Sequence, residues 1–149
     1  MLENVLYTAV ATSTGDGRNG HVVSADGQVD LDLAMPPEMG GSGQGANPEE
    51  LFAAGYAACF HSALRAVARR SGADVTDSTV TAYVGIGPVD EAFDLVVTLE
   101  SDLPQVQPEQ ARELVDTAHQ VCPYSRATRG NISVELRLTG PAAAAAQPA

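Results

Sequence analysis

The chain has 149 residues, of which 44% are hydrophobic and 18% charged, and its formal net charge is −11 at pH 7. A chain of this length forms one domain that buries about two thirds of its unfolded surface, so its core needs no disulfide. The negative charge argues against a nucleic-acid partner and against an anionic membrane surface, because both repel an acidic protein.

The expected compartment is the cytoplasm. No run of 18 apolar residues occurs, so we expect no transmembrane span. The first residues lack the basic segment and apolar block of a signal peptide. In the cytoplasm thiols are kept reduced, and a disulfide there is more often catalytic than structural.

Three β-strands are predicted in the first third of the chain. Residues 4–13 are rich in Val, Leu, Tyr and Thr, which favour a strand. Residues 21–33 form a predicted hairpin with Asp26 and Gly27 in its turn. The prolines and glycines of residues 35–46 predict an irregular loop.

The first helix has clear predicted ends. Asn47 is a good N-cap, and Pro48 suits the first helical position. Gly72 is a plausible stop. No charged residue occurs from 51 to 60, which predicts a helix buried on all sides there.

Two strands, a second helix and a final strand complete the pattern. The strands are predicted at about residues 75–87 and 92–101, and the last one near 132–139. Pro108 opens the second helix, and Pro123 is expected to bend or end it.

The predicted order is therefore β-β-β-α-β-β-α-β. This order indicates an α+β fold in which a curved, mostly antiparallel sheet wraps around two helices. We expect a single domain over residues 1–140. The Ala- and Pro-rich residues 141–149 offer little to pack and are predicted to be a disordered tail.

Cys59 and Cys122 are the two cysteines of the chain, and three uses are open to them: a structural disulfide, metal ligands or a redox pair. An inert buried thiol is the alternative for Cys59. A zinc site that also takes His61 and His119 fails on spacing, because residues i and i+2 of a helix point to nearly opposite sides. The settings of the two cysteines favour the redox pair.

A reactive Cys59 needs a cation. A thiol among apolar side chains has a raised pKa, and Cys59 is too far into its helix for the helix dipole to help. Arg18, in a loop flanked by glycines, is the best candidate. A solvated loop arginine is the alternative, and the residues alone leave both open.

Three segments, residues 6–27, 47–60 and 122–132, resemble those of the organic hydroperoxide resistance proteins, which belong to the wider OsmC-like superfamily. The resemblance spans about residues 4–139. It implies an OsmC-like fold, an intertwined homodimer, and a thiol-dependent peroxidase that reduces organic hydroperoxides to alcohols.

The resemblance also assigns roles to four residues. Cys59 matches the peroxidatic cysteine and Cys122 the resolving cysteine. Arg18 matches the arginine that activates the thiolate, and Glu49 the glutamate that holds this arginine. The expected product of turnover is a sulfenic acid on Cys59 and then a disulfide to Cys122.

Two positions depart from the family pattern. Glu50 stands where glutamine is common, and we assign it no role. Arg126 replaces a residue that is often smaller, which affects the mouth of the site rather than its chemistry.

Apolar residues of the first helix are candidates for the substrate pocket: Leu51, Phe52, Tyr56 and Phe60. The sequence does not separate this use from packing in the core.

No cofactor and no metal are expected, and the resemblance implies a protein-borne lipoyl dithiol as the reductant. Glu49 and Cys59 are ten residues apart, about 15 Å along a straight helix, so one Arg18 cannot easily touch both in one chain. Either the helix starts late or the site is shared by two antiparallel copies in a dimer, and we favour the dimer. Two alternatives remain: a superfamily member with another peroxide preference, and a non-enzymatic thiol redox sensor.

Overall fold

The computed structural model describes residues 1–146, and its order of strands and helices confirms the predicted α+β class. The elements are β1 (Ala11–Thr14), β2 (His21–Ser24), β3 (Asp30–Asp32), α1 (Pro48–Ser71), β4 (Thr79–Val89), β5 (Ala92–Asp102), α2 (Pro108–Val121), α3 (Pro123–Thr128), β6 (Val134–Thr139) and α4 (Pro141–Ala146). Contacts group the chain into two compact units, which divide between Leu51 and Phe52. The single domain expected over residues 1–140 stays a prediction.

The first unit contains an antiparallel sheet in which β2 lies between β1 and β3. The hairpin turns at the predicted place, since Gly27 has a φ of 74° that suits a residue without a Cβ. β1 begins at Ala11 rather than near residue 4. Ala11 pairs with Ser24, the last residue of β2, so the residues before it have no partner strand in this sheet.

The start and end of α1 confirm the predicted caps. The Asn47 side chain accepts a hydrogen bond from the Glu50 N–H at 2.9 Å and donates to the Glu50 carboxylate at 2.7 Å. The first of these bonds satisfies a backbone N–H that the helix itself leaves unpaired, and the second joins the two side chains. The helix ends at Ser71, followed by Gly72 with a φ of 72°.

The burial of α1 differs from the prediction. Ala54 and Ala58 are exposed in this chain, so residues 51–60 are not buried on all sides. One stripe of the helix is buried, made of Tyr56, Phe60, Leu64, Val67 and Ala68. A helix face without charges can be buried. Alanine is small, so burying it removes little apolar area from water and stabilises the fold only slightly.

α1 is also, within the part of the chain described, the one helix long and apolar enough to cross a membrane by length and composition. Its buried stripe packs in the hydrophobic core of the second unit. A core helix meets the same two criteria, and this stripe is typical of one.

The strands form two three-stranded sheets rather than the one curved sheet predicted. In the second unit β4 pairs antiparallel with β5 along its whole length, whereas β6 pairs parallel with β5. A hairpin returns the chain antiparallel, but a connection through helices lets β6 enter the sheet in the direction of β5. The helical link therefore makes this sheet mixed.

Pro123 ends the second helix, as predicted. α2 stops at Val121, and Cys122 has a ψ of 126°, which is extended backbone. A proline ring clashes with a helical conformation at the preceding residue, so the chain leaves the α2 path and starts α3 in a new direction.

The core of the second unit lies between α1, α2 and the inner face of the sheet. β5 contributes Val97 and Leu99, which have no exposed surface, and Leu103 follows directly after this strand. α2 turns one apolar face to them, made of Ala111, Leu114, Val115 and Ala118. Cys122 also has no exposed surface and belongs to the same cluster.

The predicted disordered tail differs from the structure over its first part. Residues 141–146 form α4, which packs on α2 and β6, and Ala142 has no exposed surface. Alanine is the best helix former and proline suits the first helical position, so a low-complexity segment of this kind can fold against a neighbour. Residues 147–149 lie outside the described part of the chain.

His21 joins two carboxylates on the first sheet. Its Nε2 lies 2.6 Å from Asp30 and its Nδ1 2.8 Å from Asp32. Both nitrogens donate only in the imidazolium form, so the hydrogen bonds, that to Asp32 foremost, raise the pKa of His21 above its ordinary value.

We predict a pH-dependent contribution of His21 to stability. A raised pKa stabilises the fold below the ordinary histidine pKa of about 6.5, and this contribution is lost as the pH rises through the raised pKa. An NMR titration should show His21 titrating above its ordinary pKa. Replacing Asp30 and Asp32 together by asparagine should bring it back, while the exposed Asp94→Asn should not. A pKa of His21 at or below its ordinary value would contradict the prediction.

Candidate active site

Arg18 lies in a 3-10 turn between β1 and β2. Two hydrogen bonds tie this turn to the chain that follows β3. The Leu33 N–H donates to the Gly20 carbonyl at 2.8 Å, and the Met35 N–H donates to the Asn19 side chain at 3.0 Å. The two residues that follow the arginine are therefore fixed to this segment.

The same segment is bonded to the start of α1. The Ala34 N–H donates to the Ala46 carbonyl at 2.9 Å, and the Ala46 N–H donates to the Asp32 carbonyl at 3.1 Å. Asn47 caps the helix directly afterwards. A continuous set of backbone hydrogen bonds thus brings the first turn of α1 close to the turn that carries Arg18.

Arg18 and Glu49 form a two-pronged ion pair. Both guanidinium nitrogens donate to the carboxylate, each at 2.8 Å. The Glu49 side chain is 13% exposed, against 36% for Arg18, so the carboxylate is the better shielded partner. The hydrogen bonds raise the pKa of Arg18 and lower the pKa of Glu49. The guanidinium is therefore held in one orientation with its charge retained.

The two cysteines meet in the second unit. Cys59 lies on α1 and is half-buried, whereas Cys122 lies between α2 and α3 and has no exposed surface. Both are free thiols, and their sulfur atoms are 3.6 Å apart. A disulfide needs sulfurs about 2 Å apart, so the pair is close enough to bond after a small movement.

Opposing influences act on the Cys59 thiol. Burial raises its pKa above the ordinary value, and the backbone N–H of Tyr124 lowers it by hydrogen bonding to the sulfur. The neighbouring Cys122 raises it further. The net direction is upward, so the surroundings of Cys59 within its own unit keep it in the thiol form rather than the thiolate.

Three aromatic rings pack beside the cysteines. Phe52 contacts Tyr56 edge-on with ring centres 6.0 Å apart, and Tyr124 lies 5.6 Å from Tyr56. Gly55 leaves room for this approach, because a Cβ there would come within 2.9 Å of the Tyr124 hydroxyl. The glycine is thus needed for packing rather than for a turn.

The four predicted pocket residues all lie on α1 but differ in burial. Leu51 and Phe52 are half-buried, whereas Tyr56 and Phe60 have no exposed surface. The last two are core residues in this structure. A substrate could contact them only after the site opened, and their use as a pocket stays a prediction.

The histidines that a zinc site would require face other partners. His61 Nε2 lies 3.0 Å from the Ser78 hydroxyl, and His119 Nδ1 lies 2.8 Å from the Ser125 hydroxyl. Burial lowers the pKa of both histidines, which therefore favour the neutral form. No cluster suited to a metal ion occurs among residues 1–146.

Sequence reasoning missed a group of buried hydroxyls. The Tyr56 hydroxyl lies 2.9 Å from that of Ser125 and 3.1 Å from that of Thr128. Ser125 and Thr128 are three residues apart, the spacing of one helix face, directly after the break at Pro123. That spacing was the one feature of the sequence that could have indicated them.

Comparisons with known proteins place the chain in a family. The model of the OsmC-like protein family matches residues 41–137. An organic hydroperoxide resistance protein of Xanthomonas axonopodis pv. citri is 51% identical over 138 residues, covering 91% of this chain and 96% of the relative. The organic hydroperoxide resistance protein OhrB of Bacillus subtilis is 45% identical over 135 residues, covering 89% of this chain and 98% of the relative.

A solved structure agrees with the fold as well. The crystal structure of an organic hydroperoxide resistance protein from Legionella pneumophila superposes with a TM-score of 0.87 at 46% identity, covering 92% of this chain and 100% of that one. The similarity extends over nearly the full length of both chains, so it includes the segments that carry Arg18, Glu49 and the two cysteines.

Proposed function

The chain belongs to the OsmC-like protein family, within the group of organic hydroperoxide resistance proteins, and we propose that it is a thiol-dependent peroxidase acting on organic hydroperoxides. The observation that carries the proposal is the cysteine pair, with sulfurs 3.6 Å apart and only Cys59 partly open to solvent. A half-buried nucleophile beside a buried second thiol is suited to oxidation followed by disulfide closure.

The first step is attack of the Cys59 thiolate on one peroxide oxygen. The O–O bond breaks, the alkoxide leaves and takes a proton to become the alcohol, and Cys59 retains the other oxygen as a sulfenic acid. The Tyr124 N–H, which hydrogen-bonds to the sulfur, helps to stabilise the thiolate. It does not overcome the effect of burial, so a cation has to supply the rest.

Arg18 supplies that cation in the proposed mechanism. Its charge lowers the pKa of Cys59 and stabilises negative charge on the departing alkoxide. The two hydrogen bonds to Glu49 hold the guanidinium plane in place. Lysine could not reproduce this arrangement, because its ammonium group lacks the planar pair of donors.

The second step is condensation of the sulfenic acid with Cys122. The Cys122 thiol displaces the hydroxyl, water leaves, and a disulfide joins the two residues. The proximity of the sulfurs favours this step over reaction with a second peroxide molecule, which would give a sulfinic acid. An external dithiol then reduces the disulfide by thiol exchange.

The assembly and partners are part of the same proposal. The active form is a homodimer, the reductant is a protein-bound dithiol of the lipoyl kind, and the protein acts in the cytoplasm. The acidic net charge of −11 favours a small-molecule substrate over nucleic acid or an anionic membrane. The chemistry proceeds through sulfur alone and needs no cofactor.

We expect the two cysteine variants to fail at different steps. Cys59→Ser should abolish peroxide consumption. Cys122→Ser should complete one turnover and then accumulate sulfenic or sulfinic acid on Cys59, which mass spectrometry after one equivalent of peroxide would show. Steady-state assays with monothiols, thioredoxin and a lipoyl dithiol would identify the reductant. Oxidation of Cys122 before Cys59 would reverse the assignment, and disulfide formation without sustained turnover would indicate a redox sensor.

We predict that Arg18→Ala raises the pKa of Cys59. The pH at which this thiol reacts with an alkylating probe should then move upward, because deprotonation loses its cation. Glu49→Gln should give a smaller shift, since the guanidinium remains but is held less firmly. Arg70→Ala, which removes an exposed arginine at the end of α1, serves as the charge-matched control. An unchanged pH profile in Arg18→Ala would rule out the activating role.

Substrate preference should follow apolar contact. Each buried methylene is worth up to about 0.8 kcal/mol, or about a fourfold gain, so kcat/KM should rise with the alkyl chain of the hydroperoxide and be lowest for hydrogen peroxide. Phe52→Ala should reduce the gain for long chains and leave hydrogen peroxide unaffected. Equal or faster turnover of hydrogen peroxide would show that α1 is only a core helix, and would point to a superfamily member with another peroxide preference.

A further inference from the structure

Four polar side chains from three helices meet inside the core of the second unit. Tyr56 comes from α1, His119 from α2, and Ser125 and Thr128 from α3. Tyr56 and Ser125 have no exposed surface, and Thr128 is 6% exposed. Buried polar groups are costly unless hydrogen-bonded, and each hydroxyl of this cluster has partners.

One arrangement of protons satisfies the whole cluster in a single direction. His119 Nδ1–H donates to Ser125, Ser125 to Tyr56, Tyr56 to Thr128, and Thr128 to the Tyr124 carbonyl at 3.0 Å. Each hydroxyl then donates once and accepts once. Such a series of hydrogen bonds fixes the relative orientation of the three helices as well as the distances between them, whereas apolar packing alone lets helices slide.

This series of hydrogen bonds ends in the segment that carries Cys122. Cys122 directly precedes α3, and its sulfur lies 3.6 Å from that of Cys59. Tyr56 and Cys59 are three residues apart on α1 and so share a face. The Tyr56 hydroxyl therefore links the helix that carries Cys59 to the segment that carries Cys122.

We propose that Tyr56 is a positioning residue for disulfide formation: its hydroxyl holds α3 so that the Cys122 sulfur meets an oxidised Cys59. The inference rests on the proposed peroxidase function and deepens it. Tyr56 touches neither sulfur through its hydroxyl and acts through Ser125 and Thr128.

The second step is the one that should depend on this anchor. The sulfenic acid of Cys59 and the thiol of Cys122 combine to a disulfide and water, and the sulfurs must approach from 3.6 Å to about 2 Å. A second peroxide molecule competes for the same sulfenic acid. Loosening α3 therefore slows closure relative to that competing reaction.

The test is to measure both steps in Tyr56→Phe. The first step, followed as loss of the Cys59 thiol at low peroxide, is measured in the same variant and should slow less than closure does. Disulfide formation should slow about tenfold, the factor expected from losing one net hydrogen bond that holds the geometry. At high peroxide a correspondingly larger fraction of Cys59 should become sulfinic acid, measured by mass spectrometry.

Two controls separate positioning from general destabilisation. Tyr83→Phe removes an exposed hydroxyl of β4 that is hydrogen-bonded to Glu100. It should leave unchanged the partition of oxidised Cys59 between disulfide and sulfinic acid. Leu64→Ala weakens the same core without removing any of the hydrogen-bonded side chains. It should lower the Tm at least as much as Tyr56→Phe does and still give the wild-type partition. Equal partitions in Leu64→Ala and Tyr56→Phe would overturn the proposal.

A further variant and a second oxidant complete the test. Thr128→Val removes one link and should shift the partition in the same direction by a smaller factor, which keeps the test available if Tyr56→Phe folds poorly. Diamide oxidises thiols to a disulfide without any peroxidase chemistry. Slower closure in Tyr56→Phe with diamide supports the anchor even if the wild type consumes no hydroperoxide, and unchanged closure with both oxidants rejects it.

Discussion

The arrangement around the cysteines depends on a steric constraint at one peptide bond. Pro123 excludes the helical conformation at Cys122, so α2 ends there and the chain turns into α3. Had the helix continued, the following residues would have carried on along the α2 axis. The break instead places Cys122 in the core against Cys59, and the Tyr124 N–H against the same sulfur.

The two parts of the candidate site solve opposite electrostatic problems. The Arg18–Glu49 pair keeps two charges at a partly shielded place by satisfying each with the other. The cysteine pair lies where burial favours neutral thiols. A thiol that attacks a peroxide must ionise, and burial opposes this, so the proposed role of Cys59 requires a cation. The sequence contains eight arginines. Arg18 and Arg137 are each held by a carboxylate through two hydrogen bonds, and the Glu49 partner of Arg18 is 13% exposed against 57% for the Glu135 partner of Arg137.

Local chemistry explains what the sequence could predict. The cap at Asn47, the stop at Gly72 and the break at Pro123 depend on the residue and its immediate neighbours, and all three are confirmed. Burial and sheet organisation depend on distant partners. For this reason the exposure of Ala54 and the division into two sheets were not predicted.

The candidate site shows the same division. The motifs indicated four residues, and the structure brings them together as two pairs. The buried hydroxyls of Tyr56, Ser125 and Thr128 were missed, because tyrosine, serine and threonine are common at exposed positions and the spacing of Ser125 and Thr128 does not identify Tyr56 as their partner. Only the packing of three helices makes them a connected group.

The closeness of the two sulfurs also has a consequence for redox energetics. Cys59 and Cys122 are 63 positions apart, and a bond between them would remove conformational freedom worth about 4 kcal/mol from the unfolded chain. By linkage, disulfide formation is more favourable in the folded chain than in the unfolded one by a comparable amount, because folding supplies each thiol to the other at a high effective concentration. Reduction of that bond is correspondingly less favourable in the folded chain than in the unfolded one. A single thiol gains no such proximity, whereas a reductant that closes a ring on its own second sulfur does, which is consistent with the dithiol reductant of the proposed mechanism.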